Sequence, residues 1–294
     1  MFKYNSHLLN FAKIGLNSIR AMATAERGHT FPCFKDKVVI ITGASSGIGE
    51  TTALEFAKDG AKLAITGRNA ERLSAVAQEC VKQGIPESNV VQLLGDISDD
   101  KFIEQMVNET VSKLGGIDVV VNNAGTSEMA EPGVYDKAML DRMLDMFVRS
   151  LYPTLTHIRP HLKKSKGSIV NISSLCATAV GPYTMREYDT AKSATNHLTR
   201  TLAYELALDG ININTVSPGV IGTPLFTAVA GDAAAKILQV ASQKSGFKRH
   251  GYPIDVARAV QFMASSAASY ITGHDLIVDG GMSSYPFLMP HELE

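Results

Sequence analysis

Residues 188–192 read Tyr-Asp-Thr-Ala-Lys. This spacing puts a phenol and an ammonium at i and i+4, on one face of a helix. A free phenol, with a pKa of about 10, is a poor base near neutrality. A nearby ammonium favours the phenolate and lowers that value. The pair Tyr188 and Lys192 is therefore expected to exchange a proton with an alcohol or carbonyl oxygen. Ser174 ends an apolar run, where its hydroxyl can hold the same oxygen. Tyr183 is too far from Lys192 to share its helical face, at about 100° per residue. Pro182 also sets the start of the helix beyond Tyr183, which is expected in the pocket wall.

A second segment supplies a partner for that proton chemistry. Thr42-Gly43-Ala44-Ser45-Ser46-Gly47-Ile48-Gly49 follows the β-branched run Lys37–Thr42 and precedes a helical stretch, Glu50–Lys58, that stops at Asp59-Gly60. Glycine permits the tight turn, and the helix N-terminus offers free N–H groups to a pyrophosphate. The strand before and the helix after make this more than a lone glycine motif. Together, the two segments predict hydride transfer between a nicotinamide and a carbonyl or alcohol carbon.

The next strand, Lys62–Thr66, bears on which nicotinamide cofactor is used. An acid at its end would hold the ribose 2′-hydroxyl of NAD(H); Gly67 stands there instead, followed by Arg68. A guanidinium suits the 2′-phosphate of NADP(H). NADP(H) is the expected cofactor and NAD(H) the alternative, in which Arg68 is a solvated loop residue.

In these motifs the chain resembles the short-chain dehydrogenase/reductase family over about residues 36–282. Thr42 to Gly49 is similar to the family's cofactor turn, and Asn122-Asn123-Ala124-Gly125 to its Asn-Asn-Ala-Gly signature. Ser173-Ser174, Tyr188 and Lys192 resemble its catalytic set; the second serine is the one the family uses. Pro218-Gly219 through Thr223 and Asp279-Gly280-Gly281 resemble its two late markers. The resemblance implies an α/β fold, a doubly wound parallel sheet of Rossmann type with about seven strands and helices on both faces. It also implies cofactor contacts from Gly43, Ser45, Ser46, Gly47, Ile48, Gly49, Arg68, Asp96, Ile97, Asn123, Ala124, Gly125, Tyr188, Lys192, Pro218, Gly219, Ile221 and Thr223. The family's enoyl reductases use a wider Tyr-to-Lys interval, so carbon–carbon double-bond reduction is disfavoured.

One departure stands out. The family usually places an asparagine in the helix after Asn-Asn-Ala-Gly, where it holds a water that links the lysine to solvent. Here the stretch is Asp145-Met146-Phe147-Val148-Arg149. Phe147 cannot hydrogen-bond that water, so the proton route is expected to be altered or turnover slowed.

The elements that must position these groups are legible independently. Val90–Leu94, Ile117–Val121, Ser168–Ile172, Ile213–Val216 and Leu276–Val278 read as further strands. Helical spacing lies between them, as in Phe102 with Met106 and Val107. Alternating strand and helix argues for parallel pairing. No linker or repeat divides the 294 residues, so one domain is expected over 35–294, with a substrate lid near 224–248. The lid carries Leu225, Phe226, Val229, Ile237, Leu238 and Phe247, which suit a lipophilic carbonyl or secondary alcohol. The same residues would also serve as an ordinary packed helix. Leu140, Leu144, Val148 and Leu151 form a stripe, and family members commonly pair through this region as homodimers or homotetramers.

Apolar residues make up 45% of the chain, enough for a sizeable core, and the formal net charge of −1 gives no sign of a nucleic-acid partner. No run of about 18 apolar residues exists, so no membrane span is expected. Cys33, Cys80 and Cys176 have no metal or redox spacing and read as reduced thiols. His157 and His161 stand at i and i+4 without a visible third ligand, so no metal is expected. Residues 1–34 form an N-terminal extension with Lys3, Lys13 and Arg20, no acid before Glu26, and an apolar stripe of Leu8, Ala12, Leu16 and Ile19. This is similar to a mitochondrial presequence; a flexible or docking arm, with a cytoplasmic location, is the alternative. The competing function class is a catalytically weak cofactor-binding protein acting as sensor or subunit, and Phe147 is its one supporting motif.

Overall fold

Val38–Ile41 form β1, and all four side chains are buried. Their alternation sends Val39 and Ile41 into one apolar layer and Val38 and Ile40 into another, as period-two geometry requires. A strand buried on both faces is the mark of a parallel sheet covered by helices on each side. The computed structural model describes residues 34–284.

Seven strands follow the order β3-β2-β1-β4-β5-β6-β7. They are β1, β2 (Lys62–Gly67), β3 (Val90–Leu94), β4 (Val119–Asn122), β5 (Ser168–Ile172), β6 (Asn212–Pro218) and β7 (Asp275–Val278). Every pairing is parallel. The strand order reverses between β1 and β4, which opens a crevice at their carboxyl ends.

The helices are α1 (Gly47–Lys58), α2 (Ala70–Lys82), α3 (Asp100–Leu114), α4 (Lys137–Leu144), α5 (Leu151–Ser165), α6 (Arg186–Leu208), α7 (Pro224–Ala230), α8 (Ala234–Lys244) and α9 (Pro253–Ala264). One layer gathers Phe56, Val76, Val256, Val260 and Met263 against the sheet. The opposite layer gathers Ile103, Met106, Val107, Ile158, Leu162 and Leu206. Asn69 and Asp99 cap α2 and α3 by accepting from Arg72 N at 2.8 Å and Lys101 N at 3.0 Å.

Several boundaries differ from the sequence reading for local reasons. Helix α1 begins at Gly47 rather than Glu50, because the glycine turn itself supplies the first helical turn. Ser174 lies beyond β5, at the start of a short 3₁₀ turn, Leu175–Ala177. Tyr183–Met185 form another 3₁₀ turn, and α6 starts only at Arg186. A π-helical turn, Asp145–Arg149, joins α4 to α5 and interrupts the regular leucine spacing. The inward stripe there is Met139, Met143 and Phe147, while Leu140, Leu144, Val148 and Leu151 are half-buried.

Among the described residues, no helix is long and apolar enough to cross a membrane. Among the same residues, no three His, Cys, Asp or Glu side chains gather as a metal site.

Candidate active site

The carboxyl end of β1 runs into a turn fixed by three hydrogen bonds from Asn123 and one from Ala124. Asn123 Nδ2 donates to the carbonyls of Thr42, at 2.9 Å, and Gly43, at 3.1 Å. Thr42 Oγ1 accepts from the backbone N–H groups of Asn123 and Ala124, both at 3.0 Å. The Asn-Asn-Ala-Gly segment at the end of β4 is thus a clamp on the glycine turn. Gly43 has φ +66° and would bring a Cβ to 2.6 Å from Ala124 Cα; at Gly49 a Cβ would fall 2.3 Å from the Gly43 carbonyl oxygen. Only glycine meets both demands.

This cradle fits a dinucleotide. Ser46 sits at the N-terminus of α1 without a side-chain cap, which leaves the first-turn N–H groups for an anion. Ser45, Ser46 and Ile48 flank that opening. Gly47, at φ +62°, faces Thr223: a Cβ added there would stand 3.3 Å from the Thr223 Cβ. Thr223 in turn caps α7 by accepting from Phe226 N at 3.1 Å. Pro218 ends β6, and Gly219 packs so tightly on Asp279 that a Cβ would lie 2.8 Å from its Cβ. Ile221 bridges to Gly251 and is buried.

At the β2 end, Gly67 and Ser45 are close: a Cβ on Gly67 would stand 3.1 Å from Ser45 Oγ. Arg68 extends past them, exposed, and Nη1 pairs with Asp96 Oδ2 at 3.4 Å. Asp96 also accepts from Ser98 N at 2.9 Å. That backbone bond, with the Arg68 guanidinium, holds its carboxyl below the usual range. Ile97 is buried beside it and lines a cavity of about 20 Å³ under the Asn-Asn-Ala-Gly segment.

Ser174, Tyr188 and Lys192 meet between β5 and α6. Ser174 Oγ accepts from Cys176 N at 3.1 Å and is hydrogen-bonded to the Tyr188 phenol. Ser173 turns the other way, its Oγ donating to the Lys192 carbonyl at 3.4 Å. Tyr188 lies in the first turn of α6, one turn before Lys192. Lys192 is 4% exposed. Its Nζ donates to the Ile172 carbonyl at 2.8 Å. Burial pushes the ammonium down to about 7.

The phenol departs from the sequence expectation. Lysine was expected to depress the Tyr188 pKa, but burial pushes it up, with smaller contributions from Cys176 and Asp189; only the Ser174 hydrogen bond opposes the rise. The ammonium of Lys192 is engaged elsewhere. It lies over the Phe147 ring, 3.6 Å from the centroid, and 5.6 Å from that of Tyr188.

Two features escaped the sequence reading. The contact between Phe147 and Lys192 is one; position 147 signalled only a missing hydrogen bond. Asp189 is the other. It accepts from Gly181 N at 3.0 Å and hydrogen-bonds Cys176, tying α6 to the loop that carries Ser174. An acid beside a candidate catalytic tyrosine carries no spacing signal of its own. Cys176 is half-buried, and its thiol is pushed up to about 11, away from thiolate chemistry.

Comparison with known proteins agrees with this geometry. A family model described as "Enoyl-(Acyl carrier protein) reductase" matches residues 43–283. Glucose 1-dehydrogenase of Gluconobacter oxydans is 35% identical, over 86% of this chain and 94% of its own. A short-chain dehydrogenase/reductase of unknown function from Caenorhabditis elegans, solved with cofactor, shares 34% identity and a TM-score of 0.81, over 89% of this chain and 99% of its own. L-sorbose reductase of Gluconobacter frateurii, solved with NADPH and L-sorbose, shares 29% identity and a TM-score of 0.78, over 86% of this chain and 98% of its own. The glycine cradle, the Asn123 clamp and these relatives together place the chain in the short-chain dehydrogenase/reductase family of oxidoreductases, which bind NAD(P) cofactors.

Proposed function

We propose that the chain is an NADP(H)-dependent oxidoreductase that interconverts a carbonyl and a secondary alcohol on a lipophilic small molecule. Its catalytic residues are Ser174, Tyr188 and Lys192. The observation that carries this reading is the hydrogen-bonded pair of Ser174 and Tyr188 hydroxyls one helical turn from a buried ammonium. A nicotinamide held in the glycine cradle would supply or accept the hydride. In reduction, Ser174 hydrogen-bonds the substrate oxygen and Tyr188 gives it the phenolic proton, so that the carbonyl becomes an alcohol and solvent restores the phenol. A phenol kept protonated by burial suits that donor role. Lys192 would help to hold the nicotinamide ribose.

NADP(H) is supported by Arg68 and by Gly67, where a carboxylate side chain would press on Ser45. NAD(H) is the weaker alternative. The lipophilic substrate is supported by the lid, whose Phe226, Val229, Ile237 and Leu238 are half-buried and whose Leu225 and Phe247 are exposed. The reading includes one domain over 35–294, a homodimer or homotetramer, and mitochondrial targeting by the N-terminal extension. Residues 1–33 lie outside the described residues.

A turnover screen with NADPH and NADH over lipophilic ketones, aldehydes and sugars tests the reading. Reduction of a lipophilic ketone with NADPH is expected. Turnover of sugars alone would replace the substrate class. Cofactor binding without any turnover would favour a sensor or subunit.

A further inference from the structure

Phe147 occupies a position that ties three parts of the site together. Its ring is 6% exposed. The ring face lies 3.6 Å from Lys192 Nζ, measured to the centroid. Its edge meets the Tyr188 ring at 87° and 5.6 Å between centroids. Its Cε1 lies 2.6 Å from where a Gly125 Cβ would be, so the glycine leaves room for it. The backbone is held as well: the Phe147 carbonyl accepts from Thr195 Oγ1 at 2.9 Å.

An ammonium over an aromatic face is attracted by the ring quadrupole, most strongly where water is excluded. Lys192 is such a case. Its Nζ has one hydrogen bond to the Ile172 carbonyl, and the Phe147 face covers it. A small, mostly apolar cavity nearby is lined by Phe147 and Ile172, both partners of the ammonium, with Asn122, Ser150, Asn171 and Thr195 as its polar members. Lys192 does not line it.

We infer that Phe147 is a positioning residue: its ring face seats the Lys192 ammonium against the Ile172 carbonyl, nearer to Phe147 than to Tyr188, and so sets the site to give a proton rather than take one. The titratable groups around Tyr188 fit this. Asp189, on α6, acts to keep the phenol protonated, and Cys176, from the loop after β5, adds to this only once it is a thiolate. Lys192, also on α6, is the cation that would oppose them, and it is held by Phe147. The inference rests on the proposed roles of Tyr188 and Lys192, but the seat itself can be observed without turnover.

The test has two readouts. In protein labelled with ¹³C at lysine Cε, the Lys192 resonance is assigned by its loss in Lys192→Met. Its ε protons are expected upfield of the other lysines, under the ring current of Phe147. Phe147→Leu keeps apolar bulk and should abolish that displacement. The second readout is the pH profile of kcat/KM for alcohol oxidation. Freed from the ring, the ammonium favours the phenolate, so the acidic limb, set by Tyr188 acting as base, should move to lower pH by about one unit in Phe147→Leu. Phe147→Asn should move it in the same direction. Should Phe147→Leu fail to fold, Gly125→Ala displaces the ring without altering it and should shift the Lys192 resonance. Ordinary ε-proton shifts in the wild type would overturn the seat. An unmoved acidic limb in a folded, NADPH-binding Phe147→Leu would overturn its effect on Tyr188. Absence of turnover with every substrate, beside a displaced Lys192 resonance, would count against the proposed function and leave the seat supported.

Discussion

Arg68→Ala should separate NADPH from NADH. Arg68 Nη1 lies 3.4 Å from Asp96 Oδ2, and both side chains are exposed. An exposed pair of that kind contributes roughly 0–1 kcal/mol, so a 2′-phosphate has little to displace. Charge-assisted hydrogen bonds from a guanidinium contribute about 1.5–3 kcal/mol. Subtracting the lost Asp96 pair and allowing for solvent screening leaves about 1–2 kcal/mol, or roughly 5- to 30-fold in Kd. The assay is fluorescence titration of wild type and Arg68→Ala with each cofactor. NADPH affinity should fall by that factor and NADH affinity should stay within two- to three-fold, roughly the scale of a few tenths of a kcal/mol. The margin should shrink with added salt, because the group is exposed. Gly67→Asp should push preference the other way, though its Cβ must displace Ser45 Oγ from 3.1 Å. Equal losses for both cofactors in Arg68→Ala would refute the 2′-phosphate assignment.

Three further outcomes are expected. The folded Lys192 value of about 7 lies below the ordinary 10.5; the unfolded chain therefore binds more protons between these values, and stability rises with pH across that window. Lys192→Met should raise Tm at pH 6 and flatten that rise, as followed by thermal denaturation across pH. Asn123→Leu removes the donor to the Thr42 and Gly43 carbonyls, at 2.9 and 3.1 Å; urea unfolding should show a loss of about 1–3 kcal/mol, with weaker NADPH binding. Tyr152, Tyr204 and Leu208 are exposed on α5 and α6, so sedimentation should give a dimer or tetramer that Tyr204→Glu weakens; a concentration-independent monomer would refute the oligomer.

The fold was legible because its signals are local. β-branched runs such as Val38–Ile41 are buried on both faces, and glycines 43 and 47 mark backbone that only glycine adopts easily. The candidate residues Ser174, Tyr188 and Lys192 were legible through helical spacing and family motifs. What the sequence hid is set by contacts between distant segments. The direction of the Lys192 ammonium depends on the Ile172 carbonyl and on Phe147, which arrives from another helix through a π-helical turn. Burial dominates the Tyr188 phenol, and spacing alone carries no measure of burial. The leucine spacing did not say which face turns inward: Met139, Met143 and Phe147 take the inner face, and Leu140, Leu144, Val148 and Leu151 stay half-buried.

Proton donation by Tyr188 is the central claim, and Tyr188→Phe tests it most directly. The variant keeps the ring against Phe147 and removes the hydroxyl that meets Ser174. With a substrate found in the turnover screen and saturating NADPH, kcat should fall by about 10²–10⁴-fold, the range of general acid catalysis, while NADPH affinity holds within a few-fold. Undiminished kcat in a folded Tyr188→Phe would contradict the account.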